Sequence, residues 1–250
     1  MAKQTPKMKS DRGGVIYRAL RHAIVAQALV PGTKLPEDAI GEQFGASRTI
    51  VRHALGKLAA EGLVELRRNF GASVATPSWE EAHDIFGVRI ALEQLVVSRL
   101  SGRLTPDQIA VLGAHIDQEE QAQGSDEALS LRLATEFHLL LAEMTGSPVL
   151  SRYVGELASR CALILSLYSR PHSSECAVSE HRSIVAALRG AKGAEAMALT
   201  SEHLEAVGRR ALIRTRPGKD HDIRAILSLY AKDASRGHRK KIAPGGRIGD

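Results

Sequence analysis

The sequence has few aromatics, few cysteines and no long apolar runs. Phe, Trp and Tyr make up 4% of its 250 residues, with a single Trp. A core built without them has to be aliphatic, and the abundance of Ala and Leu points to helices. Two cysteines, Cys161 and Cys176, are too few for a disulfide scaffold, which makes a reducing cytoplasm the expected setting. No run of about 18 apolar residues occurs, so no membrane-spanning helix is expected. The segment from Met1 to Arg12 is polar and lacks the apolar centre of a signal peptide.

The 44% hydrophobic fraction is enough for one large core or two modest ones. The net charge of +6 is unevenly spread. Residues 1–78 carry 12 Lys+Arg against 6 Asp+Glu, residues 79–216 carry 14 against 18, and residues 217–250 carry 8 against 4. Only the front of the chain is built to meet a polyanion, although a basic surface can also serve solubility alone.

Hydrophobic periodicity divides the chain in the same places. Ile16, Leu20 and Ile24 repeat at spacing four and predict a helix over 13–29, ended by Pro31-Gly32. A short helix follows Pro36, with Glu37 and Asp38 in its first turn, and Gly45 stops it. A third helix starts at Ser47, a good N-cap residue, and ends at Gly62. Leu63–Leu66 and Ala72–Ala75 read as two strands around the turn Arg67-Arg68-Asn69-Phe70-Gly71. After the linker Thr76-Pro77-Ser78, helices are expected near 79–102, 106–123, 126–145, 148–169, 174–190 and 193–215. Breaks at Pro106, Gly124, Pro148, Pro171 and Gly190 separate them. The segment 221–231 is a further amphipathic piece that could cover a partner subunit, cover a pocket mouth or stay disordered, and the basic stretch 236–241 beyond it is expected to be mobile.

The fold class is therefore mainly α. Residues 1–76 form a winged helix-turn-helix with a small β-hairpin. Residues 79–216 form an all-α antiparallel bundle, and residues 217–250 form a basic extension. In the third helix, Val51, Leu55 and Leu58 make the buried side. Ser47, Arg48, Thr49 and Arg52 lie at its start or on the other face, where a recognition helix reads base edges. The hairpin turn presents Arg67 and Arg68 as a wing for phosphates or the minor groove. Taken alone, Arg48 and Arg52 could equally be solvating an exposed face.

The stretch PGTKLPEDAIGEQFGASRTIVRHALGKLAAEGLVELRRNFGASV resembles the DNA-binding domain of GntR-type regulators. Ser47, Arg48, Thr49, Val51, Arg52, Ala54, Leu55, Leu58, Glu61, Gly62, Leu63 and Val64 match the family pattern. The resemblance implies contacts to double-stranded operator DNA by Arg48, Thr49, Arg52 and Gly71. Ile50 replaces the usual proline, and Ala39 stands where some members carry a DNA-contacting arginine. The remainder resembles the FCD effector domain of the FadR-like subfamily, on VRIALEQLVVSRL, FHLLLAEMTGSPVL and EHRSIVAALRGAKGAEAMALTSEHL.

His138, His181 and His203 fall on three different predicted helices. By spacing alone they read as ordinary core or surface histidines. The resemblance places all three at metal-ligand positions, which implies zinc or a similar divalent ion. The family's aspartate or asparagine ligand, one turn before the first histidine, is Ala134 here. Glu136 lies about 200° round the helix from His138's face, so it is a poor substitute. Water or an effector carboxylate would complete the shell. Arg89 and Arg160 are candidates to pair with a small carboxylate effector, although Arg89 also stands four residues before Glu93, the spacing of a structural ion pair.

The function expected is that of a cytoplasmic homodimeric transcription regulator, with no membrane association. An enzyme using the three histidines is the alternative. It is disfavoured because no general-base carboxylate is apparent beside them and no nucleophile elbow or phosphate loop occurs.

Overall fold

The computed structural model describes residues 11–168, 177–211 and 223–236. The expected break at Pro171, Cys176, the end of the helix predicted to reach 215, and the basic segment past Arg236 lie outside them. The described residues form ten helices and one two-stranded sheet. None of these helices is long and apolar enough to cross a membrane.

Helix α1 (Arg12–Val25) is capped by Asp11, whose side chain accepts from the Gly14 amide at 2.9 Å. It ends before the Pro31-Gly32 predicted to stop it. Gln27 takes a left-handed backbone (φ 58°), and the Leu29 amide donates back to the Ala23 carbonyl, tucking Leu29 fully into the core. Helices α2 (Glu37–Phe44) and α3 (Arg48–Ala60) meet at Gly45, which is left-handed as the tight corner requires (φ 57°). A Cβ at Gly41 would lie 2.9 Å from the Ala46 carbonyl oxygen, so only glycine lets the two helices approach this closely.

Strands β1 (Val64–Arg67) and β2 (Gly71–Val74) pair antiparallel, with Val64 opposite Val74 and Arg67 opposite Gly71. Lys34 adds a single bridge to Ser73 at the sheet edge. The two-period pattern sends Val64, Ala72 and Val74 inward against Leu35, Leu55, Leu58 and Leu63.

Helices α4 (Trp79–Leu100), α5 (Pro106–Ala122), α6 (Glu127–Met144), α7 (Pro148–Tyr168), α8 (Ala177–Arg189) and α9 (Gly193–Ala211) form the bundle. Ser78 caps α4, and Thr105 with Gln108 makes a capping box on α5. An aliphatic core of Val96, Leu112, Ile116, Leu141, Val154 and Leu188 surrounds Phe137, the one large aromatic buried among them.

Two features tie the halves together. Leu163 of α7 is fully buried in the winged-helix core. Beside it, Arg21 of α1 donates to the Gly155 carbonyl at 3.1 Å and to Ser159 Oγ at 2.5 Å, and pairs with Glu61 at 3.4 Å. Helix α10 (Ile223–Arg236) also returns to the winged helix of its own chain. Leu227 enters that core, Arg224 pairs with Glu42 at 2.7 Å, and Tyr230 meets the His22 ring edge-on at 4.8 Å. The amphipathic segment of the C-terminal extension is thus part of the first unit's core rather than a separate unit.

Candidate functional site

The α2–α3 corner brings together the residues expected to read DNA. Ser47 sits at the N-cap of α3, but its side chain makes no capping hydrogen bond, contrary to the capping role its residue type suggests. The hydroxyl is exposed, as are Arg48, Thr49 and Arg52, while Val51, Ala54, Leu55 and Leu58 are buried as their spacing predicts.

Each arginine meets an acid from the first turn of α2. Arg48 donates through Nε to Asp38 Oδ1 at 2.6 Å and through Nη2 to Oδ2 at 3.0 Å. Arg52 donates through Nε to both Glu37 oxygens, at 2.9 and 2.8 Å, and this hydrogen bonding raises the guanidinium's pKa. At the wing, Arg67 pairs with Glu65 at 2.7 Å and Arg68 is exposed. Asn69 and Gly71 are left-handed (φ 66° and 82°), and this turn leaves Phe70 84% exposed at the tip.

The second constellation lies inside the bundle. His138 of α6, His181 of α8 and His203 of α9 are all buried. The closest approaches are between His203 Nε2 and His138 Nε2 at 3.2 Å, and between His181 Nε2 and His203 Nε2 at 3.3 Å. Every Nδ1 faces a carboxylate: His138 meets Glu93 at 2.5 Å, His181 meets Glu119 at 2.8 Å and His203 meets Glu180 at 2.5 Å. A carboxylate on Nδ1 fixes the tautomer with its proton on that nitrogen. The three Nε2 lone pairs then point at one another, an arrangement that repels itself unless a cation sits between them. Tetrahedral zinc with Zn–N near 2.0–2.1 Å separates ligand nitrogens by about 3.3–3.4 Å, close to the two separations here. The donor set fits a divalent cation held by the three histidines.

Burial dominates the site's electrostatics. It pulls His138 down to about 3, and the Arg89 guanidinium adds to this, so the Glu93 carboxylate does not make the ring cationic. His181 is also lowered, chiefly by burial. Burial alone would raise Glu119, but His115 beside it and the hydrogen bond from His181 hold it at about 2. Glu93, likewise opposed by burial, is held anionic by His138 and Arg89. The His138–Glu93 and His181–Glu119 contacts are therefore those of a neutral imidazole N–H donating to an anion.

Arg89 belongs to this centre. It is buried, and its Nε donates to Glu93 Oε1 at 2.6 Å, so the predicted intrahelical ion pair forms and also links Arg89 to His138 through the same carboxylate. Arg160 does not belong to it. The side chain pairs with Glu81 and packs against Gly62, where a Cβ would lie 2.9 Å from Arg160 Nε. On α7, Arg160 faces the junction with the winged helix, and the neighbouring Cys161 faces inward beside Arg89. Among the described residues only the three histidines make up the cluster, and Glu136 pairs with Arg132 at 3.7 Å rather than joining it.

The expectation that no carboxylate stands near the histidines is corrected: three do. Each places one oxygen on an Nδ1, which orients the rings. Glu119 was detectable as an acid in the apolar stripe Leu112, Ile116, Ala122. Glu93 was visible only as Arg89's partner, and nothing local marked Glu180.

A winged helix-turn-helix joined to a helical bundle with a polar centre defines a DNA-binding transcription regulator with a separate sensing domain. Residues 13–74 match the bacterial regulatory proteins of the gntR family, and residues 84–206 match the FCD domain. The Uxu operon regulator of Haemophilus influenzae is 30% identical over 198 residues, covering 70% of this chain and 73% of that protein. The HTH-type transcriptional repressor RspR of Escherichia coli is 27% identical over 197 residues, covering 77% and 85%. A crystal structure of a putative GntR transcriptional regulator from Rhodococcus sp. RHA1 superposes with a TM-score of 0.71 at 20% identity, covering 81% of this chain and 98% of that one. The chain belongs to the GntR family of bacterial transcriptional regulators and carries an FCD effector domain; it is a regulator and not an enzyme.

Proposed function

We propose that the protein is a FadR-like regulator that binds operator DNA as a homodimer and is controlled by a small carboxylate on a divalent metal. The metal is held by His138, His181 and His203. The observation that carries this reading is the convergence of three Nε2 atoms, each backed by a carboxylate on Nδ1. A metal bound there supplies a cationic, Lewis-acidic point to which an effector carboxylate attaches, in the place of the family's fourth protein ligand. Arg89 adds positive charge beside it, partly offset by Glu93.

Ser47, Arg48, Thr49 and Arg52 are the base-reading edge of α3, and Arg67, Arg68 and Gly71 form the wing on the backbone or minor groove. A two-fold dimer presents two such heads to two half-sites. Helix α7 packs on both the metal centre's surroundings and the winged helix, through Leu163 and the Arg21 contacts, so it is suited to carry a change from one to the other. An effector shifts operator affinity only as far as it binds the two head arrangements differently. Such a regulator works in the cytoplasm, beside the chromosome.

The test is a thermal-shift screen of the full chain against small mono- and dicarboxylates, with and without zinc. Stabilisation by an acid that depends on zinc supports the reading; no stabilisation under either condition sinks the effector assignment. Arg48→Ala or Arg52→Ala should cost about 1–3 kcal/mol in operator binding if the side chain reads a base.

A further inference from the structure

The acids that meet the two reading arginines have no role in the account so far. Their presence in the first turn of α2 has an ordinary explanation, because that helix end favours negative charge. This does not explain why both arginines of α3 are turned toward them. The pairs add little stability either, since both arginine side chains are 69% exposed and ion pairs in water are weak.

The geometry of each pair is more informative. Asp38 takes the Nε–Nη2 side of Arg48, and Glu37 takes only Nε of Arg52. Two of the five N–H donors of Arg48 are used, and both terminal nitrogens of Arg52 remain open. The open terminal edge, with its two parallel N–H donors, can form a paired contact with guanine O6 and N7. A carboxylate on the inner edge holds the fork in place, so less side-chain freedom is lost when a base is met. The same carboxylate repels phosphate. Lys34, Glu37, Asp38, Arg48 and Phe70 line one groove between α3 and the wing, so the acids oppose a phosphate that enters it.

We propose that Asp38 and Glu37 are specificity-determining positioning residues, which buttress Arg48 and Arg52 for guanine and penalise non-specific phosphate contacts. The proposal rests on the reading that these arginines meet bases. It predicts that removing an acid weakens discrimination while leaving non-specific binding as strong or stronger, a combination of affinity and specificity typical of a repulsive element.

The experiment uses the full chain. Duplexes are enriched from a randomised library with the wild type, and base preferences are then measured for Arg48→Ala, Arg52→Ala, Asp38→Ala, Asp38→Glu, Glu37→Ala and Asp38→Ala/Arg48→Ala. Affinities for the enriched duplex and a scrambled duplex are measured by fluorescence anisotropy. In Asp38→Ala the ratio of the two affinities should fall roughly tenfold, within the range a bidentate base contact commands. The loss should be confined to the base pair whose preference Arg48→Ala erases. Asp38→Glu should recover part of it, and Asp38→Ala should cost no further base preference once Arg48 is gone, although binding to the scrambled duplex should still hold or rise. Glu37→Ala should do the same at the Arg52 position.

If Asp38→Ala tightens the enriched duplex more than the scrambled one, the acids are mere competitors and the proposal is overturned. It is also overturned if the preference is unchanged or is lost at a different base pair. If Arg48→Ala and Arg52→Ala themselves leave the preferences untouched, the base-reading assignment fails together with the proposal. Sensitive arginines with insensitive acids refute the proposal alone.

Discussion

Replacing His181 by alanine tests the histidine centre most directly. The ring is fully buried, stacks on Phe137 with centroids 3.9 Å apart at 17°, and donates to Glu119 at 2.8 Å. Glu119 is itself 2% exposed, and its remaining neighbour is His115 at 3.4 Å. The substitution removes a hydrogen bond to a buried anion, worth about 1.5–3 kcal/mol, and leaves a ring-sized void against Phe137 that adds further cost. A loss of about 3 kcal/mol in all corresponds to a drop of about 6–12 °C in Tm for a chain of this size. Zinc supplies the second arm. At free metal 100-fold above Kd, binding adds about 2.7 kcal/mol to the wild type, and the variant should show little of that gain. His181→Asn, which keeps an N–H for Glu119, should recover part of the apo stability without recovering the zinc response. Differential scanning fluorimetry of metal-stripped and zinc-loaded protein reads both. An alanine variant that melts within about a degree of wild type and keeps the same zinc shift refutes the reasoning.

Further predictions concern the junctions. Leu163→Ala should cost about 2–5 kcal/mol; because Leu163 sits in the winged-helix core from a bundle helix, urea unfolding followed by a probe in either unit should shift together. Leu227→Ala should cost a similar amount, and truncation before Ile223 should lower the stability of the winged helix by exposing the face that α10 covers. Tyr17 donates to Glu61, and burial with that carboxylate pushes its pKa up to about 12. The folded state thus holds a proton that the unfolded state releases near 10. This contribution is complete below pH 10 and disappears as the pH rises through 12. Tyrosinate absorbance should show a late-titrating component that is absent in Tyr17→Phe.

Much of the architecture was legible in the chain. The stripe Ile16, Leu20, Ile24, the corner at Gly45, the face Val51, Leu55, Leu58 and the alternation around the wing turn are local patterns with one packing solution each. The bundle helices follow from their periodic apolar positions and their Pro and Gly breaks. The end of α1 was misplaced because a left-handed Gln27 stops the helix, and no residue type announces that.

The sequence by itself determined the elements of this protein and the exposed basic face of α3, and its family resemblance singled out the three histidines. Tertiary structure decided what each group faces. It placed Arg160 at the domain junction rather than beside the three histidines, because adjacent positions on α7 point in different directions. It brought Glu93, Glu119 and Glu180 onto His138, His181 and His203 from across the helices, and it folded α10 back onto the first unit. It also set Glu37 and Asp38 against the arginines that the linear pattern had left free. The physical reason is the same in each case. Periodicity specifies which side of a helix is buried, but the partner across the interface depends on contacts far apart in sequence, which no local pattern encodes.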